Sequence, residues 1–330
     1  MVESRCKVME AIGGYFELAE YEEGVFPHKD GILLNTGRNA LEYILRSIGN
    51  VDKIFLPYYT CEVVLEPLKK LQIPWTFYHI NAEFEIADEI NPRKGEYVIA
   101  NNYYGIKDAY ILELADKFGD HLIVDCAQAL FAKPISGIKT FYSTRKFVGV
   151  ADGGVAYLGI VPDGSVSVDE VDCTSDHNSH LLKRKQFGAE AGFADYQENE
   201  SKLDNQPIRW MSHSTKQILN HIDFEKVISR RRDNFCFLHN TLAEMNNLAL
   251  PALESFVCPM VYPFISKTDR DFRKELIENK VFVAKYWPNV HLENGFELEY
   301  NLTKNMIPLP CDQRNGESEM KRIIELIISN

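Results

Sequence analysis

Lys146 and Asp125 are the residues whose types and surroundings suit covalent chemistry. Lys146 lies in Phe141-Tyr142-Ser143-Thr144-Arg145-Lys146-Phe147, followed by Gly149-Val150-Ala151-Asp152-Gly153-Gly154. Upstream, the apolar run Leu122-Ile123-Val124 stops at Asp125-Cys126-Ala127-Gln128. The pattern reads as two neighbouring strands, one ending in an acid and the next delivering a lysine. A lone aspartate at a strand end is usually a cap or an ion-pair partner, and a lone lysine is usually solvated. Their ordered combination suits a cofactor with a basic ring nitrogen and an aldehyde, and pyridoxal phosphate has both. The lysine amine forms a Schiff base with the aldehyde. The carboxylate keeps the ring nitrogen protonated, so that the ring acts as an electron sink.

The elements that must position these residues alternate along the chain. Lys53-Ile54-Phe55-Leu56, ending at Pro57, is a strand candidate, as are Trp75 to Ile80 and Tyr97-Val98-Ile99-Ala100. Between them, Glu62 to Leu71 and Ala109 to Phe118 show apolar residues at helical spacing, as in Ile111, Leu112, Ala115 and Phe118. Strand, helix, strand, helix predicts a mostly parallel sheet covered on both faces. Ligands gather beyond the carboxyl ends of such strands. Asn101, Tyr103, Asp125 and Lys146 all fall there.

From Gly159 to Gln206 the chain is polar with few periodic signals and reads as a long excursion of loops, suited to covering a neighbouring subunit. Helical patterns return from Thr215. A strand-like run from Val257 to Pro263, a helix from Phe272 to Asn279 and a closing amphipathic helix from Glu317 to Ile328 make a smaller α+β unit. The expected organisation is a large cofactor-binding domain over 1–214 and a small domain over 215–330.

Length and composition fit this division. A chain of 330 residues exceeds the commonest domain size. Its net charge of −12 repels a nucleic-acid backbone. Ser229-Arg230-Arg231-Arg232 is the one basic cluster, and it reads as a solvated helix face. The seven cysteines show no CxxC pair and no metal-like spacing, as expected of reduced thiols in the cytoplasm with no metal site. Met1 to Gly14 carries charges throughout and lacks the apolar core of a signal peptide. No apolar run approaches transmembrane length, so no membrane partner is expected.

Four stretches together resemble the DegT/DnrJ/StrS-type sugar aminotransferases, pyridoxal-phosphate enzymes of the aspartate aminotransferase fold type I. They are Thr36-Gly37-Arg38-Asn39-Ala40-Leu41, Asn102-Tyr103-Tyr104-Gly105, Val124-Asp125-Cys126-Ala127-Gln128-Ala129, and Lys146 with Asp152-Gly153-Gly154. Ile307-Pro308-Leu309-Pro310 before the last helix fits the family's ending. The resemblance implies that Lys146 holds the cofactor and shuttles a proton, Asp125 pairs with the ring nitrogen, and Gln128 lies near the ring hydroxyl. Gly37 and Arg38 would open a helix whose free N–H groups hold the phosphate.

Three positions depart from the family pattern. Arg38 stands where a small hydroxyl residue is usual, and an arginine can clamp a phosphate with two prongs. Phe141 stands at the usual serine position, which makes Ser143 the phosphate candidate. Pro57-Tyr58-Tyr59-Thr60 leads to Cys61 where an aromatic normally stacks on the ring. Either Tyr59 takes over the stacking or the ring packs differently.

The resemblance implies an aminotransferase that takes an amine from an amino acid such as glutamate. The acceptor would be a keto sugar nucleotide, in amino-sugar or surface-polysaccharide biosynthesis. It also implies a homodimer, and residues near Gln206 to Ser214, including Arg209, Ser212 and His213, are expected to reach the partner's cofactor. Two other readings stand beside it: a lyase or desulfurase using the same cofactor, and a non-catalytic homologue that binds a sugar nucleotide.

Overall fold

In this computed structural model the described residues are 10–20, 22–161, 166–268, 270–293 and 295–329. Residues 1–9, most of the stretch read as lacking a leader, lie outside them. Strand β1 (Ile12–Gly13) stands apart from the main sheet. The sheet is built by β2 (Ile32–Leu34), β3 (Lys53–Pro57), β4 (Trp75–Tyr78), β5 (Glu96–Asn101), β6 (Leu122–Cys126), β7 (Lys139–Ser143) and β8 (Gly154–Tyr157). Their spatial order is β2-β8-β7-β6-β5-β3-β4. The strands from β7 through β4 run parallel, while β8 is antiparallel to both of its neighbours.

Every residue of β6 is buried, as a strand covered on both faces requires. Its side chains alternate between two cores. Ile123 packs in the one around helix α1 (Gly37–Ile48), whereas Leu122 and Val124 pack in the other. Helix α1 starts where Thr36 caps it, its hydroxyl accepting the Asn39 N–H at 3.1 Å. Glu62–Val64 forms only a 3-10 turn ahead of the short α2 (Leu65–Lys70), and α3 (Asp108–Phe118) follows β5.

The excursion from Gly159 to Gln206 is not all loop. It holds α4 (Ser179–Phe187) and α5 (Phe193–Ser201). Apolar periodicity missed them because they bury mainly polar groups: α4 buries His180, Leu181 and Arg184, and α5 only Asn199. Residues 209–211 then run along the free edge of β2, with Met211 N–H donating to Leu33 and Asn35 N–H donating to Arg209. Arg209 binds Glu170 at 2.9 Å, and Ser212 caps α6 (His213–Leu219). Within this chain both residues are engaged.

The C-terminal part contains α7 (Phe224–Leu242), β9 (Val261–Phe264), α8 (Phe272–Glu278), β10 (Val281–Phe282), α9 (Glu297–Asn305), β11 (Ile307–Pro310) and α10 (Glu317–Ile328). Strand β10 pairs with β1, and β11 with β9. The basic cluster read as solvated includes one fully buried member, Arg231. It lies four residues from both Val227 and Phe235, on the inward stripe of α7. Its guanidinium donates to the Met260 carbonyl at 3.0 Å and to Gln313 Oε1 at 2.8 Å, and it stacks on Phe147. Among the described residues no helix is long and apolar enough to cross a membrane.

Candidate active site

Strands β5, β6 and β7 end side by side, with Asn101 opposite Asp125 and Asp125 opposite Phe141. Lys146 follows three residues beyond β7, in a turn rather than on the strand itself. The turn is closed by Thr144, whose N–H and hydroxyl both donate to the Gly153 carbonyl, and by Gln313, whose side-chain amide donates to the Phe147 carbonyl at 2.7 Å. Asp125, Gln128 and Lys146 line one cavity together with Asn101, Cys61 and Trp287.

Asp125 is buried, and its Oδ1 accepts the Ala127 N–H at 2.8 Å. Burial pushes its carboxyl above the usual range, opposed by the Lys146 charge and the Ala127 N–H. Gln128 is fixed by Tyr104, whose backbone N–H donates to Oε1 at 3.0 Å. Tyr104 has φ +56°, a left-handed conformation that costs a bulky residue energy. The Asn102-Tyr103-Tyr104-Gly105 stretch therefore orients the glutamine of the next strand end. Gln128 Nε2 is buried and has no acceptor, and Asn101 Oδ1 on the cavity wall has no donor. Buried polar atoms in native proteins are nearly always paired, so two orphans in one cavity mark a place for a ligand.

A pyridoxal ring asks for an anion at its nitrogen, a donor for its phenolic oxygen and an amine for its aldehyde. Asp125, Gln128 Nε2 and Lys146 are that set. Gly37, which opens α1, lies in contact with Ser143, whose Cβ is 3.5 Å from the position a glycine Cβ would take. The first turn of α1 carries no acid, which leaves its N–H groups favourable to an anion. The cavity itself is about 10 Å³, room for about one water. A ring enters only when lining side chains move apart, and Lys146, which is exposed, has the length and freedom to do so. A larger cleft, about 850 Å³, lies elsewhere, between residues 16–20, α4 and α7. It touches the lysine turn only at Val148 and Gly149.

Two residues expected at the site are held in other contacts. The Arg38 guanidinium binds Glu66 at 2.7 Å and Asp204 at 2.6 Å. Tyr59 is fully buried in an aromatic cluster, its hydroxyl 2.9 Å from that of Tyr104 and its ring edge-on to Trp287. Cys61 lines the cavity. Trp287 was not foreseen. It is contributed from far along the chain with φ +52°, and nothing in Tyr286-Trp287-Pro288 marks it as more than a buried aromatic.

No protein-family model and no curated protein matches this sequence. Solved structures do. DesV of S. venezuelae, solved in complex with a ketimine intermediate, superposes with a TM-score of 0.64 at 16% identity, over 90% of this chain and 83% of that one. A putative sugar aminotransferase of Streptococcus pneumoniae, Spr1654 in its PLP form, gives 0.61 at 16% identity, over 89% and 85%. DesI, solved with its TDP-sugar product, gives 0.59 at 17% identity, over 90% and 79%. At these identities the likeness shows the fold.

Proposed function

We propose that the chain is a pyridoxal-phosphate-dependent aminotransferase that moves an amino group from an amino acid such as glutamate to a keto sugar carried on a nucleotide. One observation carries the reading: Lys146, Asp125 and Gln128 face a single cavity, and the Gln128 Nε2 there lacks an acceptor. The similar structures support it, since one holds the PLP form of a sugar aminotransferase and another a TDP-sugar product. When bound, the cofactor supplies the electron sink that stabilises a carbanion.

The protein's own residues do the rest. Asp125 presents a negative charge in a buried site, where it favours a protonated partner strongly. Gln128 donates from Nε2, fixed in direction by the Tyr104 N–H. Lys146 Nζ is the amine at the cavity and the group that takes and returns a proton. Ser143 and the opening of α1 offer donors to a phosphate. We further propose a homodimer in the cytoplasm, as the fold's symmetric enzymes favour.

The test is spectroscopic. Purified protein saturated with pyridoxal phosphate is mixed with glutamate, and the absorbance of the aldehyde form is followed. We expect it to give way to the amine form and to return when a keto sugar nucleotide is added. A band that neither glutamate nor any other amino-acid donor converts to the amine form points to the lyase class, and no band at all points to a non-catalytic homologue. Either outcome overturns the proposal.

A further inference from the structure

The two arginines beside the lysine turn are bound by acids at the end of α5 and in the turn that follows it. Arg145 immediately precedes Lys146, and its Nη2 is ion-paired with Glu200 at the end of α5. Arg38, at the opening of α1, is ion-paired with Asp204 in the turn that continues α5. Glu200 stands in the last turn of α5, and Asp204 lies in the turn that follows it. Burial works to raise the Glu200 carboxyl, yet the charge and hydrogen bond of Arg145, with help from Arg38, hold it below its ordinary value. Both guanidinia therefore act on one carboxylate.

We infer that Arg38 and Arg145 form a receptor for a phosphate-type oxyanion, and that Glu200 and Asp204 stand in for that anion in the resting chain. The inference rests on the proposed function in one respect, that the anion belongs to a reactant of the neighbouring Lys146. Arg145 carries a mark of incomplete occupancy: its Nε is buried and has no acceptor, so a single carboxylate leaves part of the guanidinium fork unused. Charge makes the exchange obligatory. Two guanidinia here face three carboxylates, Glu66, Glu200 and Asp204. A dianion added to that group is repelled. Withdrawing Glu200 and Asp204 leaves a net positive pocket beside Ser143 and the acid-free first turn of α1.

Helix α5 is tied to α4 through Asn199 to Ser179 at 3.0 Å and to His180 at 2.9 Å, and through Asp195 to Lys183 at 2.7 Å. Tyr196 of α5 also stacks on Tyr15, and Arg184 of α4 binds Glu17 and the Gly13 carbonyl. Freeing the arginines therefore means moving Glu200 and Asp204 against these anchors. The oxyanion is the cofactor's phosphate or a phosphate of the substrate, since both present the same chemistry.

The experiment compares the full chain with the double variant Glu200→Gln, Asp204→Asn by titration calorimetry. The probes are inorganic phosphate, pyridoxal phosphate, unphosphorylated pyridoxal and a nucleoside diphosphate. We expect the variant to bind inorganic phosphate at least about tenfold more tightly, with the gain abolished by adding Arg145→Gln. The same gain for pyridoxal phosphate but not for pyridoxal identifies the cofactor as the source. The gain for the nucleoside diphosphate with pyridoxal phosphate unchanged identifies the substrate. No gain for any of the phosphates, or a gain that survives Arg145→Gln, overturns the inference. Inorganic phosphate has no aldehyde, so this result stands apart from whether Lys146 is the cofactor lysine. Should the variant fail to fold, hydrogen exchange of the unaltered chain decides. Saturating phosphate is expected to speed exchange over 193–204, and unchanged exchange there overturns the inference equally.

Discussion

Gly154 lies so close to Thr36 that a Cβ on the glycine would sit 2.1 Å from the Thr36 carbonyl oxygen and 2.8 Å from the Gly37 nitrogen. The contacts are backbone atoms and cannot turn aside. The glycine of β8 thereby lets α1 begin directly against the sheet, beside Ser143. Gly154→Ala is expected to push the opening of α1 outward. Overpacking of this kind costs about 1–3 kcal/mol, and urea denaturation reads it. Affinity for pyridoxal phosphate should fall as well. A variant with unchanged stability and unchanged affinity contradicts this role.

Asp152 fastens the lysine turn to α6. Its carboxylate is fully buried and accepts the Ser212 N–H and the Ser212 hydroxyl, each at 2.7 Å, and the Thr215 hydroxyl. Asp152→Ala strands these donors, and each buried unsatisfied group costs about 1–3 kcal/mol. We expect a loss of about 3 kcal/mol or more in denaturant unfolding, with Ser212→Ala costing less. Equal losses for the two variants would show that Asp152 holds nothing beyond Ser212.

These two residues show what was legible in the sequence. Asp152-Gly153-Gly154 is recognisable as a pattern, and the strand that carries Asp125 and the one that precedes the Lys146 turn follow from apolar runs ending in polar residues. The partners of that pattern were not legible, because Thr36 and Ser212 meet Gly154 and Asp152 only through the fold. The helices α4 and α5 stayed hidden for a different reason. They bury histidine, arginine and asparagine rather than an apolar stripe, and periodicity detects only the stripe. Arg231 failed the opposite way, since its charge suggested solvent while its place on the inward stripe of α7 buried it.

Asp125 trades stability for chemistry. Burial raises its carboxyl in the folded chain above its value in the unfolded chain. The cost of ionising it is therefore fully present above the folded value and vanishes below the unfolded one. We expect cofactor-free Asp125→Asn to be more stable than the unaltered protein at pH 7, by a margin that shrinks as the pH falls through the carboxyl range. Amine transfer should nearly disappear. A variant that loses stability at pH 7 and keeps its activity would reduce Asp125 to a strand-end cap.

Histidines 28 and 180 set an acid limit. Burial lowers both to about 4, with the Leu130 carbonyl pulling His28 partly back and the Arg145 charge pushing His180 further down. Unfolding lets each take a proton near its ordinary value, so both favour the folded chain less as the pH falls from about 6.5 towards 4. Within that window the unfolding free energy should drop by up to about 1.4 kcal/mol per pH unit for each histidine. Replacing His28 by Gln should flatten the slope, and an unchanged slope contradicts its assignment.

The most direct measurement concerns Lys146 itself. Protein saturated with pyridoxal phosphate is reduced with borohydride, digested and mapped by mass spectrometry. We expect the reduced cofactor on Lys146, in the peptide that follows Arg145. A label on another lysine, or no label in cofactor-saturated protein, contradicts the assignment of Lys146 and with it the proposed function.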